Sequence, residues 1–116
     1  MTKNITKATI KSIIRNGGAT FDYNGNRVTM KSGYQVSTED LMTIEVRCMG
    51  KELIKRLIAN RLSKRGEYLG LWIDNGWLYI DISRRVATKK QAMAMGRELN
   101  QLTILRWADM ECLAVN

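Results

Sequence analysis

The sequence predicts an α+β fold in which three helices accompany an antiparallel, hairpin-rich sheet in one domain. Apolar residues recur at helical spacing in three segments and alternate with polar residues in several short ones. The alternating segments come in pairs joined by glycine-containing turns, which favours hairpins over βαβ units. A length of 116 residues with 45% hydrophobic content suits a single domain over residues 1–116.

The first two predicted elements are a helix over residues 4–16 and a hairpin over residues 19–31. Isoleucines at helical spacing predict the helix, and Gly17 supplies the left-handed residue that ends it. The hairpin is expected to turn at Asn24-Gly25, because a type I′ turn needs positive φ at both central positions.

The next segment is expected to be extended at residues 34–36, to turn or cap a helix at 37–40, and to form a strand over 42–48. A second helix over residues 51–64 follows and ends at Gly66. Its predicted core face consists of apolar residues at helical spacing: Leu53, Ile54, Leu57, Ile58 and Leu62.

The second half begins with a predicted hairpin of residues 68–73 and 77–82, turning through Asp74-Asn75-Gly76. A third helix over residues 88–100 starts at a capping box of Thr88 and Gln91. Its expected core face is Ala92, Met95 and Leu99. The last two predicted strands cover residues 102–107 and 111–115.

The positive charge of the chain is confined to its first half. Residues 1–65 contain 13 Lys and Arg against 5 Asp and Glu, whereas residues 66–116 contain 6 of each. The formal net charge of +8 therefore belongs to a basic half, and the rest is a neutral half. Such an excess attracts nucleic acid, anionic lipid or an acidic protein.

The candidate binding residues are the cations of the two helices predicted in the basic half, together with one arginine of the first hairpin. They could follow a phosphate backbone, with a solvated helix face as the alternative interpretation. The set is Lys3, Lys7, Lys11, Arg15, Arg27, Lys51, Lys55, Arg56, Arg61, Lys64 and Arg65.

The aromatic residues allow two interpretations. In the basic half, Phe21, Tyr23 and Tyr34 could stack on unpaired bases, but packing across a hairpin is the favoured interpretation. In the neutral half, the aromatic side chains are expected in the core or at an interface, which could be that of a homodimer. They are Trp72, Trp77, Tyr79 and Trp107.

Catalytic and metal-binding residues are not predicted, nor is a cofactor or a small-molecule substrate. The chain has no histidine, the commonest general base and metal ligand. Asp22, Asp40 and Glu45 are the nearest approach to the carboxylates of a metal-dependent nuclease, which is the least favoured function. Cys48 and Cys112 are expected to be buried thiols, with a disulfide as the alternative.

Three charged residues lie around the transition from the predicted strand of residues 77–82 to the third helix. Asp81 is expected to form an ion pair with Arg84 and Arg85, although the arginines could instead bind an anion.

The N-terminus lacks the apolar run of a secretory signal, and no segment is long and apolar enough to span a membrane. We therefore expect a cytoplasmic protein that does not bind membranes.

Three motifs stand out in the C-terminal half: a Gly-Trp strand, a Tyr-x-Asp-x-Ser-Arg strand and a Gly-Arg-x-x-Asn-Gln helix end. Their residues are Gly70 and Trp72; Tyr79, Asp81, Ser83 and Arg84; and Gly96, Arg97, Asn100 and Gln101. With these motifs the chain resembles a group of small accessory proteins of phages, plasmids and conjugative elements. The early Gly17-Gly18-Ala19-Thr20 and Gly33-Tyr34 also fit the group.

This resemblance, taken with the charge, implies a non-catalytic binding protein of a mobile element. The first hypothesis is an inhibitor of a host defence system, similar to anti-CRISPR proteins, that acts in the host cytoplasm through its basic surface on a nucleoprotein or its nucleic acid. The alternative is an accessory protein that binds nucleic acid with little sequence preference.

Overall fold

The computed structural model describes residues 4–115 and confirms the predicted α+β fold. It contains helices α1 (Lys7–Asn16), α2 (Lys51–Arg61) and α3 (Lys89–Glu98), a 3₁₀ turn at Val46–Cys48, and strands β1 (Gly18–Phe21), β2 (Tyr34–Glu45), β3 (Tyr68–Asp74), β4 (Trp77–Val86), β5 (Thr103–Arg106) and β6 (Glu111–Ala114). The strands form one curled sheet in the order β1-β3-β4-β2-β5-β6, and each neighbouring pair is antiparallel.

All three helices pack on the same face of the sheet. Alternate residues of β3 and β4, such as Leu69 and Ile80, point into a core that also contains Ile13 of α1 and Ile54 of α2. A smaller cluster under α3 joins Val36, Ala92 and Ile104. Because successive strand residues point to opposite faces, the other alternate residues line a second face, which we call the open face.

The segment predicted as three pieces, at residues 34–36, 37–40 and 42–48, begins with one long strand. Residues 34–45 form β2, which pairs with β4 along almost its whole length, so the turn expected at 37–40 is wrong. Two register irregularities, between Ser37 and Glu39 and between Asp40 and Met42, interrupt the alternation and caused the misreading. The 3₁₀ turn replaces the end of the strand predicted over 42–48.

The two hairpin predictions had different outcomes. At the second turn, Asn75 and Gly76 have φ of 50° and 82°, as expected. At the first turn only Gly25 has positive φ, so the type I′ prediction is wrong. The carboxylate of Asp22 accepts hydrogen bonds from the backbone N–H groups of Asn24 and Asn26, which stabilise a different turn.

The first hairpin also lacks its second strand. β1 pairs with β3, and the returning segment touches β1 through a single bridge between Phe21 and Arg27.

The helix boundaries largely follow the predicted signals. Gly17, with φ of 81°, ends α1, and Thr88 accepts a hydrogen bond from the Gln91 N–H at the start of α3. α2 ends at Arg61, earlier than predicted. Leu99 was expected in the core and is exposed, because α3 ends at Glu98.

Candidate binding surfaces

The basic residues predicted as a binding site are distributed over α1, α2 and the segments that follow β1 and α2. Lys3 lies outside the described residues. Lys7, Lys11 and Arg15 are exposed on α1, and Arg56 and Arg61 are exposed on α2. The half-buried side chains are those of Lys51 and Lys55, while Arg27, Lys64 and Arg65 are exposed in the loops.

Packing of α1 beside the start of α2 brings three lysines together. Lys7 and Lys11 of α1 and Lys51 of α2 line the same shallow depression, with Gly50 at the N-terminus of α2. The N-terminus of a helix carries a partial positive charge, which adds to that of the lysines. Glu52 at the edge is the one carboxylate among the lining residues. We call Lys7, Lys11 and Lys51 the lysine cluster.

Some of the predicted cations already have acidic partners. Arg61 Nη2 lies 2.6 Å from Glu39 Oε2 of β2, and Lys55 Nζ lies 3.7 Å from Glu52 Oε1. Among residues 4–115, no salt bridge engages the lysine cluster or Arg56. These cations therefore keep their charge available to an anionic partner.

Arg27 and Arg65 are bound to neutral groups. Arg27 donates to the Ser12 hydroxyl at 2.8 Å and to the Gly18 carbonyl, which holds the loop after β1 against α1. Arg65 Nε donates to the Tyr23 hydroxyl at 3.1 Å, and its guanidinium lies 6.0 Å from the ring centroid. Both arginines have structural roles, and neither lines the depression at the lysine cluster.

A second candidate surface, not predicted from the sequence, is a groove on the open face. The curled sheet, the loop after β1 and the β5–β6 hairpin enclose a volume of about 670 Å³. Its polar lining includes Thr20, Gln35, Ser37, Asp81 and Ser83, and its aromatic lining is formed by Trp72, Tyr79 and Trp107. We call this cavity the groove.

Asp81 is the most unusual group in the groove. Its Oδ1 atom is buried and has no hydrogen-bond partner among the described residues. Burial, followed by the negative charge of Asp40 on β2, raises the pKa of Asp81 from 3.8 to about 7, while the Ser37 hydroxyl acts in the opposite direction. A carboxyl group that titrates near neutral pH therefore lies on the floor of the groove.

A buried polar network fixes one end of the groove. Gln35 Nε2 donates to the Ser83 hydroxyl at 2.9 Å, and the Trp107 indole N–H donates to Gln35 Oε1 at 2.9 Å. All three residues are buried. Since both ends of the Gln35 amide are occupied, this part of the floor is held in one arrangement.

The aromatic residues of the neutral half are divided between a buried and an exposed set. Trp107 is buried, whereas Trp72, Trp77 and Tyr79 are exposed on the open face, so a place in the core is wrong for these three and an interface stays a prediction. The sequence could not separate the core from an interface for these residues, because it does not show that all three helices pack on the other face of the sheet. In the basic half, Phe21 is buried in the main core rather than packed across a two-stranded hairpin, while Tyr23 and Tyr34 are partly buried.

The ion pair predicted for Asp81 is not formed. Arg84 points to the opposite face of β4, and Arg85 donates to the carbonyl and hydroxyl of Ser32. Two buried thiols were also a wrong prediction, because Cys48 and Cys112 are exposed and free. Partial burial raises the pKa of the Cys112 thiol, so it is not a reactive thiolate at neutral pH.

The carboxylates considered for a metal site have separate partners. Asp22 binds the backbone of its own turn, and Glu45 pairs with Arg47 at 2.7 Å. Within residues 4–115, no group of three or more Cys, Asp or Glu residues could hold a metal ion.

Most residues that carry the sequence resemblance converge on the groove. Its lining includes Gly17 to Thr20 of the early motif, Gly70, Trp72, Tyr79, Asp81, Ser83 and Gln101. These residues therefore lie together at the groove, although Arg84 points to the opposite face of β4. Gly96 has a different role, because its missing side chain lets α3 approach Ile104 and Val115 closely.

Comparisons of the chain with protein-family models, with curated proteins and with solved structures found no match. None of the helices in the described part of the chain has the length and apolarity needed to cross a membrane.

Proposed function

We propose that the protein is a binding protein that engages a polyanion, nucleic acid alone or within a nucleoprotein, through α1 and α2. The observation that carries this proposal is the lysine cluster, in which cations of both basic helices meet at the N-terminus of α2. Backbone N–H groups at a helix N-terminus and surrounding lysines are both suited to phosphate oxygens.

The charge distribution supports this surface over the groove. The lysine cluster and Arg56 have no carboxylate partner in the described part of the chain, whereas the groove contains Asp81 with Asp40 beside it. A phosphate backbone would be attracted to the helices and repelled by these carboxylates. The contacts are to phosphate, so little sequence preference is expected.

The test is the affinity for labelled single-stranded DNA, duplex DNA and RNA at about 50 and 200 mM salt. Binding by the wild type should weaken by up to about a thousandfold over this range if six contacts form. Replacing Lys7, Lys11 and Lys51 by Gln should reduce the slope of log K against log salt by about 2 to 3.

The control replaces Lys89, Lys90 and Arg97 of α3 by Gln, which removes the same charge from an exposed helix of the neutral half. This variant should retain most of the affinity. Equal losses in the two variants, or no binding by the wild type at low salt, would contradict the proposed function.

A narrower proposal concerns the source of the polyanion. The resemblance to accessory proteins of mobile elements supports a host defence nucleoprotein as the target, and inhibition of that complex as the result. Pull-down from the host with the wild type and the lysine-cluster variant tests it. If the wild type, but not the variant, retains a defence nucleoprotein, the result supports an inhibitor of host defence. If only bulk nucleic acid is recovered, the result supports the accessory protein.

A further inference from the structure

The groove contains a carboxyl group without a cationic partner. No salt bridge of the described residues reaches Asp81, although four join other pairs. Its Oδ1 atom is packed over Gly70, and part of the residue remains accessible from the groove. Buried carboxylates are normally paired with a cation or bonded to several donors, so Asp81 is left to be neutralised by a proton or a ligand.

The other charged and titratable groups around Asp81 favour a positive ligand. Asp40 of β2 lies directly across the strand pair and adds a negative charge. Arg27 lines the groove from the loop after β1 and keeps its positive charge, but its guanidinium is held by Ser12 and Gly18 and forms no salt bridge with Asp81. Cys112 of β6 also lines the groove, and burial raises the pKa of its thiol, so it carries no charge at neutral pH.

Two exposed aromatic rings lie beside this carboxyl group. Trp72 and Tyr79 are direct cross-strand partners on β3 and β4, and their side chains are 53% and 43% exposed. Tyr79 and Asp81 are two residues apart on one strand and so share the open face. Aromatic faces attract cations, and they also cover apolar surface.

We propose that the groove binds a small organic cation, an amine or a guanidine carried on an apolar body. Asp81 provides the counter-charge, and Trp72 and Tyr79 contact the apolar body and the cation. The volume of about 670 Å³ falls in the usual range for a small-molecule site. This site lies on the face opposite α1 and α2 and is independent of the proposed function.

The test uses three probes that share a phenylethyl body and carry a positive, a neutral and a negative head group: 2-phenylethylamine, 2-phenylethanol and 3-phenylpropionate. Binding is followed by the chemical shifts of the indole N–H groups. The amine should bind about tenfold or more tightly than the alcohol, as expected for one ion pair in a partly dry site. The anion should bind most weakly of the three.

The variant Asp81→Asn should lose the preference for the amine, and Asp74→Asn should retain it. Asp74 is an exposed carboxylate at the end of β3 and does not line the groove, so it is a matched control. A preference for the amine that survives Asp81→Asn would overturn the proposal.

A second measurement needs only the wild type. Asp81 has a pKa of about 7, and the carboxylate is the form that binds a cation. Raising the pH from 6 to 8 increases the ionised fraction about tenfold, so the amine, which stays protonated, should bind about tenfold more tightly at pH 8. Equal or weaker binding at pH 8, or tighter binding of the alcohol or the anion, would also overturn it.

Discussion

Gly70 and Asp81 face each other across β3 and β4, and the carboxyl group of Asp81 occupies the space where a side chain at position 70 would lie. A Cβ atom on Gly70 would fall against Asp81 Oδ1. The glycine thus lets a carboxyl group pack into the sheet surface, where it has neither a donor for Oδ1 nor a cation.

The substitution Gly70→Ala is therefore expected to push the Asp81 carboxyl group out into the groove. The pKa of Asp81 should fall towards its ordinary value, because its burial is the main cause of the raised value. We expect the free energy of unfolding to fall by about 1 to 3 kcal/mol. A carboxyl titration by NMR and urea denaturation measure the two effects.

The double variant Gly70→Ala with Asp81→Ala provides the control, because it removes the group with which the new methyl collides. It should be less destabilised than the sum of the single variants. Additive effects would show that the carboxyl group does not occupy this space.

The second prediction concerns the dependence of stability on pH. The pKa of Asp81 is 3.8 as a free side chain and about 7 in the folded protein. The folded state therefore binds this proton more tightly, so Asp81 costs stability increasingly as the pH rises from about 4 to 7. The cost is absent below this range and complete above it.

Asp81→Asn removes this titration. The unfolding free energy of the variant, minus that of the wild type, should increase with pH through the same window, by up to about 1.4 kcal/mol per pH unit. Urea denaturation at about pH 4, 6 and 8 checks the prediction. A difference that is constant with pH would contradict the burial of this carboxyl group.

The third prediction concerns the network that fixes the groove floor. In Gln35→Leu, the Trp107 indole N–H and the Ser83 hydroxyl lose their buried partner. We expect a loss of about 1 to 3 kcal/mol in unfolding free energy, measured by urea denaturation.

Gln101→Leu is the matched control for this variant. Gln101 is a half-buried glutamine that lines the same groove, and its side chain makes no hydrogen bond within the described residues. The change should stay within about 0.5 kcal/mol. Similar losses in the two variants would mean that the network does not stabilise the fold.

The fourth prediction separates free from paired cations on α2. Arg56→Gln should reduce the salt dependence of nucleic-acid binding by about 0.9, the value for one phosphate contact on a duplex. Glu39→Gln with Arg61→Gln removes a salt bridge of 2.6 Å and keeps the net charge, so it should leave the slope unchanged. A reduced slope of log K against log salt in the double variant would show that Arg61 contacts a phosphate.

Features set by neighbouring residues could be predicted from the sequence. The Asn75-Gly76 turn, the Thr88 cap and the glycine that ends α1 each depend on a few adjacent residues. The Asn75-Gly76 turn also determines the contact between Gly70 and Asp81 in the groove. Because Asp74 pairs with Trp77, the antiparallel register also places Gly70 opposite Asp81.

Features that depend on distant segments could not be predicted in this way. β1 pairs with β3 rather than with its neighbour in sequence, and Gln35 of β2 meets Trp107 more than 70 residues later. The exposure of Trp72 depends on which face the helices cover. The lysine cluster likewise depends on how α1 packs against α2, since each helix alone shows only its own basic residues.

The most direct test of the proposed function is a map of the surface that binds nucleic acid. We would titrate the protein with a short DNA duplex at about 50 mM salt and follow its amide and indole N–H chemical shifts. We expect changes at residues 7–15 and 50–56 and none at the Trp72 indole. Changes centred on Trp72 and Tyr79, with α1 and α2 unaffected, would contradict it.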